Sequence, residues 1–345
     1  MKAILLVLCS TAVSLAADYT ASRVTVDSTE VIRLTDAAHK IEVSIVPSIG
    51  NTAYEFKVNG QNIMWSPYKS LAEWKAKPVQ IANPLLAPWA NRIDQDSYWI
   101  NGKKYLLNAE LNNFRRDPNG LPMHGLLQFA QWKVVRLEAS ASEAVMTSRL
   151  EYWRHPEWMA QFPFAFNLQM THRLKDGALE IETVVENLSG EAFPLSLSYH
   201  TYYRLFDAPR DEWRVHVAAA QQMMTDQRLI PTGAVKPVAL PDPVGLKDAS
   251  FDSIFSGLKH DPGGTTTFWV QGKTQKITVV FGHKFPIAVL FSPPNDPARQ
   301  FMCFEPMTGP TNLFNMIHAG TYKDAQTVAP GGEWHESFWI RPSGF

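Results

Sequence analysis

The stretch FNLQMTHRLKDGALEIETVVEN, Phe166 to Asn187, decides the fold. Apolar and polar residues alternate on both sides of Asp176-Gly177. Period two is the mark of a strand, and an Asp-Gly pair supplies the two positive-φ positions that a tight hairpin turn requires. The same device recurs along the chain. AYEFKVNGQNIMW, from Ala53, turns at Asn59-Gly60, and YWINGKKYLL, from Tyr98, turns at Asn101-Gly102. FWVQGKTQKITVVFG turns near Gly272, KIEVSIV places Ile41, Val43 and Ile45 on one face, and EWHESFWIRP makes a late strand. The single helical candidate is KSLAEWKA, from Lys69. The Pro-rich pieces KPVALPDPVG and SPPNDPARQ are too short for domain linkers and read as surface loops. Sequential hairpins without crossover helices predict an all-β protein, a large antiparallel sandwich forming one domain over residues 18–345.

Composition agrees. With 345 residues, 45% hydrophobic and 19% charged, the chain can bury a large core. A net charge of -1, with no basic run, excludes binding driven by nucleic-acid phosphates. Eleven Trp, ten Tyr and nineteen Phe supply core aromatics and a few platforms for a ring-shaped ligand. Residues 1–17, MKAILLVLCSTAVSLAA, read as a secretory signal: a lysine, an apolar run from Ala3 to Val13, then small residues before the cut. No other run is long enough to cross a membrane, so a periplasmic or extracellular protein is expected. Cleavage removes Cys9 and leaves Cys303 alone, which excludes an internal disulfide. Cys303 sits among apolar residues in FMCFEP and reads as a buried, inert thiol.

The polar residues that sit oddly are few. FPLSLSYHTYYRL, Phe193 to Leu205, alternates Leu195, Leu197 and Tyr199 with Ser196, Ser198 and His200, so it reads as a half-buried strand whose polar face ends in an imidazole. Asn91-Arg92 follows a Pro-rich apolar stretch. His124 precedes Gly125, where backbone can approach a ligand closely. Asp252 lies between aromatics in FDSIFSGL, and Glu305 ends an apolar run in MCFEPMTGP. A carboxylate there is costly unless paired or functional. Singly, each has an ordinary explanation: Arg92 pairing with Asp94 or Asp96, Asp252 capping a turn, a satisfied structural histidine. Metal-ligand spacings, a GxSxG elbow and a phosphate-binding glycine loop are absent, so no metal or cofactor is expected. What remains is a His–Glu acid–base pair with Asn, Arg and aromatics around a polar, neutral ligand.

PWANRI, YWINGKKYLL, MHG, YHTYYRL, FDSIFSGL, FEPMTGPTNLFN and PGGEWHESFWI occur in one order over nearly the whole mature chain. In that order they resemble the aldose 1-epimerase (mutarotase) family of the galactose mutarotase-like superfamily. The resemblance implies a large antiparallel β-supersandwich and a free hexose as the small-molecule partner. It implies His200 as the general acid toward the ring oxygen and Glu305 as the general base toward the anomeric hydroxyl. His124 corresponds to the second active-site histidine, Arg92, beside Asn91, to the sugar-binding arginine, and Asp252 to an aspartate that bonds sugar hydroxyls. Pro88-Trp89 replaces a common Gly-Arg, Leu126 follows Gly125 where a second glycine is common, and the insert NNFRRDPNGLP is long; all three bear on the rim of the site. A glutamate beside the imidazole is expected to favour imidazolium, while apolar neighbours raise the carboxyl. Three alternatives remain at this level: a hexose-6-phosphate epimerase, with Arg115 and Arg116 gripping phosphate; an exported carbohydrate-binding protein without catalysis; and a glycoside hydrolase or lyase, for which Glu305 is one carboxylate and Asp252 the candidate second.

Overall fold

A computed structural model describes residues 18–247, 249–294 and 296–345. The expected signal segment, with Cys9, lies outside them. The protein is built from antiparallel sheets. Residues 19–62 form a five-stranded sheet in chain order. A nine-stranded sheet runs in the order Lys133–Ala139, Ala144–Glu151, Phe166–Lys175, Ala178–Asn187, Glu333–Ser343, Lys276–Phe281, Thr266–Gln271, Arg214–His216, Val244–Gly245. The hairpin at Asp176-Gly177 is in register over its whole length, from Phe166 opposite Asn187 to Lys175 opposite Ala178, with both turn residues at positive φ. The hairpins at Asn59-Gly60, Asn101-Gly102 and Gly272 are present too.

A third sheet carries the site. Its order is Pro231–Pro237, Ala219–Thr225, Phe251–Leu258, Ile287–Ser292, Met302–Met307, Ser198–Tyr199, Leu85–Leu86, with Thr201–Tyr203 also paired to Met302–Met307. Its inner face interdigitates with the nine-stranded sheet. Phe304 meets Phe268 at 5.8 Å between ring centres, and Tyr199 meets Phe338 at 4.8 Å. The Tyr199 hydroxyl also hydrogen-bonds Thr183 Oγ1 across the gap, at 2.6 Å.

Three expectations change. The stretch Phe193–Leu205 is not one half-buried strand. It breaks into Phe193–Pro194, Ser198–Tyr199 and Thr201–Tyr203, and both of its faces are buried, Ser196, Ser198 and His200 as fully as Leu195, Leu197 and Tyr199, while Leu86 and Met307 pair with Ser198 along its two edges. The helix Leu71–Ala76 forms, with Ser70 Oγ accepting from the Glu73 N–H, but it is joined by Pro156–Met159 and Leu313–His318. Gly125 (φ 67°) is approached by backbone rather than by a ligand: a Cβ there would stand 2.1 Å from the Ala87 carbonyl oxygen. Among the described residues, no helix is long and apolar enough to cross a membrane.

Candidate active site

Strand register assembles the site on one face of the third sheet. Directly opposed residues share a face. Asp252 lies opposite Phe291, Phe291 opposite Cys303, and Cys303 opposite Tyr202. Two residues along from Cys303 comes Glu305, opposite Val289; two back from Tyr202 comes His200. The alternate residues Met302, Phe304, Tyr199 and Tyr203 point into the main core. His200 is held by its own N–H, which donates to the Pro84 carbonyl at 3.1 Å, and its ring stacks on Tyr202 at 4.5 Å.

The remaining groups come from loops. His124 N–H donates to the Asn91 carbonyl at 2.8 Å, Ile93 N–H to the Pro122 carbonyl at 3.0 Å, and Asn312 N–H to the Arg92 carbonyl at 2.9 Å. Asn91 (φ 54°) and His124 (φ 67°) both sit in the left-handed region, a conformation that persists only where the surroundings enforce it. The result is one cavity of about 360 Å³, within the span of small-molecule sites, roughly 300–1,000 Å³. All six residues singled out in the sequence line it: Asn91, Arg92, His124, His200, Asp252 and Glu305. His200 and Glu305 form its buried floor, and Asp252, Arg115 and Arg299 are exposed at its mouth. A roomier cleft of about 440 Å³ lies elsewhere, at the Asp176-Gly177 turn, and contains none of these groups.

The two central groups meet: His200 Nε2 is 3.2 Å from Glu305 Oε1. The His124 ring stands edge-on to His200 at 5.5 Å. Burial pushes the Glu305 carboxyl well above the usual carboxylate range, Asp252 adds to the push, and Arg92 opposes it. Burial also drives His200 down to about 3, with Arg115 and Arg92 adding to it against the hydrogen bond on its own backbone. The expected imidazolium is therefore not the resting form. Desolvation outweighs the neighbouring carboxylate and favours a neutral imidazole beside a protonated carboxyl. His124 is driven well below its ordinary value by burial and then by His200. Asp252 is reached by solvent from the mouth, yet the protein packed behind it raises its carboxyl, with Arg92 pulling the other way. His200 Nδ1, Glu305 Oε2 and His124 Nδ1 are buried without a partner among the described residues.

Arg92 pairs with neither Asp94 nor Asp96. Its Nε donates to Asp117 Oδ2 at 2.7 Å and its Nη1 to Asn91 Oδ1 at 3.0 Å. Asp94 is taken by Arg228 and Asp96 by Arg116, so Arg116 turns away from the cavity while Arg115 lines it. Asp252 is a strand residue and caps no turn. Asp117, Tyr202, Phe291, Arg299 and Gln80 escaped the sequence reading as site residues, and Arg115 entered it only beside Arg116, as a grip for phosphate. Tyr202 and Phe291 had a findable signal, two residues or one opposed position from a named group. Asp117 was hidden in Asp-Pro-Asn-Gly, which reads as a surface turn.

The sequence profile of the aldose 1-epimerase family matches residues 30–341. The chain belongs to the aldose 1-epimerase family. Human galactose mutarotase is 27% identical over 195 residues, 54% of this chain and 51% of that protein, so the match spans about half the relative's length. Among solved structures, a galactose mutarotase-like protein from Clostridium acetobutylicum superimposes with a TM-score of 0.83 at 21% identity, covering 95% of this chain and 99% of that one. Galactose 1-epimerase from Lactobacillus acidophilus NCFM gives 0.74 at 13%, covering 95% and 100%. At these identities the structural likeness is one of fold, and the fold is galactose mutarotase-like.

Proposed function

We propose that this member of the aldose 1-epimerase family interconverts the α and β anomers of a free hexose, with His200 and Glu305 moving the protons. The carrying observation is their juxtaposition at 3.2 Å on the floor of one sugar-sized cavity. In ring opening, the proton of the resting Glu305 carboxyl first passes to His200 across their 3.2 Å contact; Glu305 as carboxylate then takes the O1 proton and His200 as imidazolium gives one to the ring oxygen. The bond from C1 to the ring oxygen breaks and C1=O1 forms. The pair is left as a protonated carboxyl and a neutral imidazole, the forms that burial favours and from which it started. Rotation about C1–C2 presents the other face of the aldehyde. The reverse transfers then close the ring with inverted configuration. Both states of the pair hold the same number of protons, so the cycle needs no exchange with solvent. Arg92, Asn91, His124 and Asp252 are the groups placed to bond sugar hydroxyls, and the stacked Tyr202 holds the His200 ring in plane.

Polarimetry on freshly dissolved α-galactose and α-glucose tests this. The protein is expected to accelerate the approach to equilibrium. Removal of either proton carrier, by His200→Asn or Glu305→Gln, is expected to slow turnover by about 10²–10⁴-fold, the range for one positioned acid or base. Wild-type rates in both variants would refute the assignment of roles. Binding of galactose without acceleration would favour the carbohydrate-binding alternative.

A further inference from the structure

Among the described residues, each arginine near the cavity has a carboxylate partner except one. Arg92 is answered by Asp117, Arg116 by Asp96 and Arg228 by Asp94. Arg115 lines the cavity, and its one side-chain hydrogen bond is to a neutral amide: its Nη1 donates to Gln80 Oε1 at 3.0 Å. That bond fixes which way the Gln80 amide faces, since the opposite flip would set donor against donor. The amide nitrogen that results, Nε2, is buried with no acceptor among the described residues, although Gln80 is more than nine-tenths buried and lines the same cavity. A buried donor without an acceptor is costly, which points to a ligand atom that accepts. A second guanidinium lines the same cavity from the loop between Ile287–Ser292 and Met302–Met307. Arg299 reaches Asp296 only at 3.9 Å and lies over the Phe291 ring, 5.6 Å from its centre. Both arginines act on the Tyr202 phenol in the wall between them, opposing the upward push of burial on it.

From this we infer that the aldose carries an anionic group, a carboxylate or a phosphate, received by Arg115 and the Gln80 amide with Arg299 facing it. The inference rests on the acid–base mutarotase reading and departs from it in the substrate, an anionic aldose in place of a neutral free hexose. His200 and Glu305 handle the C1 end of the ring, while these donors, nearer the mouth, take the end that carries the charge. Arg92 is not spare for this purpose, because buried Asp117 already neutralises it.

The test is mutarotation kinetics on matched pairs, galacturonate against galactose and glucose 6-phosphate against glucose, each corrected for the spontaneous rate. The expected result is a kcat/KM higher for one or both anionic sugars by about tenfold or more, the scale of a charge-assisted hydrogen bond. The advantage should shrink as salt is raised, because the rim is exposed and screened. Arg115→Gln should lower the anionic-to-neutral ratio by about tenfold, mostly through KM. The pair that shows the advantage identifies carboxylate or phosphate. Neutral sugars turned over as well as both anionic ones, or a ratio unmoved in both Arg115→Gln and Arg299→Gln, would overturn the inference and leave the mutarotase reading standing. No acceleration of any of the four sugars would overturn both.

Discussion

Arg92 presents a charge to the cavity in a fixed direction only because something behind it holds the guanidinium, and that is Asp117. Its side chain is wholly buried; Oδ2 accepts from Arg92, while Oδ1 accepts from the Asn119 and Leu121 N–H groups at 2.9 Å each. Burial alone would push this carboxyl up. The Arg92 and backbone hydrogen bonds outweigh it and leave the group below the usual carboxylate range. A depressed folded-state pKa contributes stability that is present above the unfolded value, ~4 for Asp, and is lost as pH falls through the lower folded value. Asp117→Asn removes the charge and keeps the shape. It should lower the urea midpoint at pH 7, and its midpoint should fall less steeply than wild type's below pH ~4. Its KM for sugar should rise more than its kcat falls, because Arg92 loses its anchor but the proton carriers do not. Parallel stability curves over acid pH would show that Asp117 is not a depressed, charge-bearing anchor. The sequence shows the turn at Asp117-Pro118-Asn119-Gly120, since Asp, Pro and Gly each have a local backbone reason to be there. It does not show that the second carboxylate oxygen faces inward, because that depends on a partner 25 residues away.

The elements legible in the sequence are those specified locally. Asn-Gly and Asp-Gly turns determine hairpins within a dozen residues, and three of them, with the further turn near Gly272, stand where the pattern puts them. The helix Leu313–His318 was illegible. It is short, and its start is set by tertiary bonds: Asn312, at φ 62°, receives the Asp94 N–H on Oδ1 and donates its own N–H to the Arg92 carbonyl. The breaks in Phe193–Tyr203 were illegible for a related reason. Its partners, Leu85–Leu86 and Met302–Met307, are about a hundred residues away along the chain, and with both faces covered the alternation no longer reports exposure. The segment Ala87–Asp94, which carries Asn91 and Arg92, is pinned from one side by Gly125. There the Leu126 and Leu127 N–H groups both donate to the Ala87 carbonyl, at 2.8 and 3.2 Å. Gly125→Ala must accept both a left-handed conformation, about 1–2 kcal/mol, and an overpacked contact with backbone, about 1–3 kcal/mol. Gly60→Ala, at φ 81° with nothing within 4 Å, carries only the first cost. Urea denaturation should place Gly125→Ala well below Gly60→Ala in stability, with sugar turnover reduced in the former alone. Equal losses in the two would mean that the Ala87 contact does not hold the segment.

At the scale of the whole molecule, the site is a surface feature of one sheet whose rigidity comes from the sheet behind it. His200 is bracketed by Tyr199 and Thr201, which face the core; Tyr199 bonds Thr183 and packs on Phe338, and those two belong to the adjacent central strands of the nine-stranded sheet. Glu333–Ser343 pairs with Ala178–Asn187 on one side and Lys276–Phe281 on the other, so it joins the two halves of that sheet. Phe338 is fully buried on this strand and also faces Phe285 edge-on, at 6.5 Å. Truncating it removes a ring from the contact between the two large sheets and leaves a cavity that neither can close without shifting the other. Phe338→Ala should therefore cost about 3–5 kcal/mol, a large part of the roughly 5–15 kcal/mol that stabilises a typical domain. If residues 18–345 fold as one unit, this loss is felt everywhere. Unfolding in urea followed by tryptophan fluorescence and by far-ultraviolet circular dichroism should give coincident single transitions, and Phe338→Ala should shift both curves by the same amount without changing their slope. Two separated transitions, or a shift confined to one signal, would mean that the sheets unfold independently and that the floor of the cavity and its backing are not mechanically one piece.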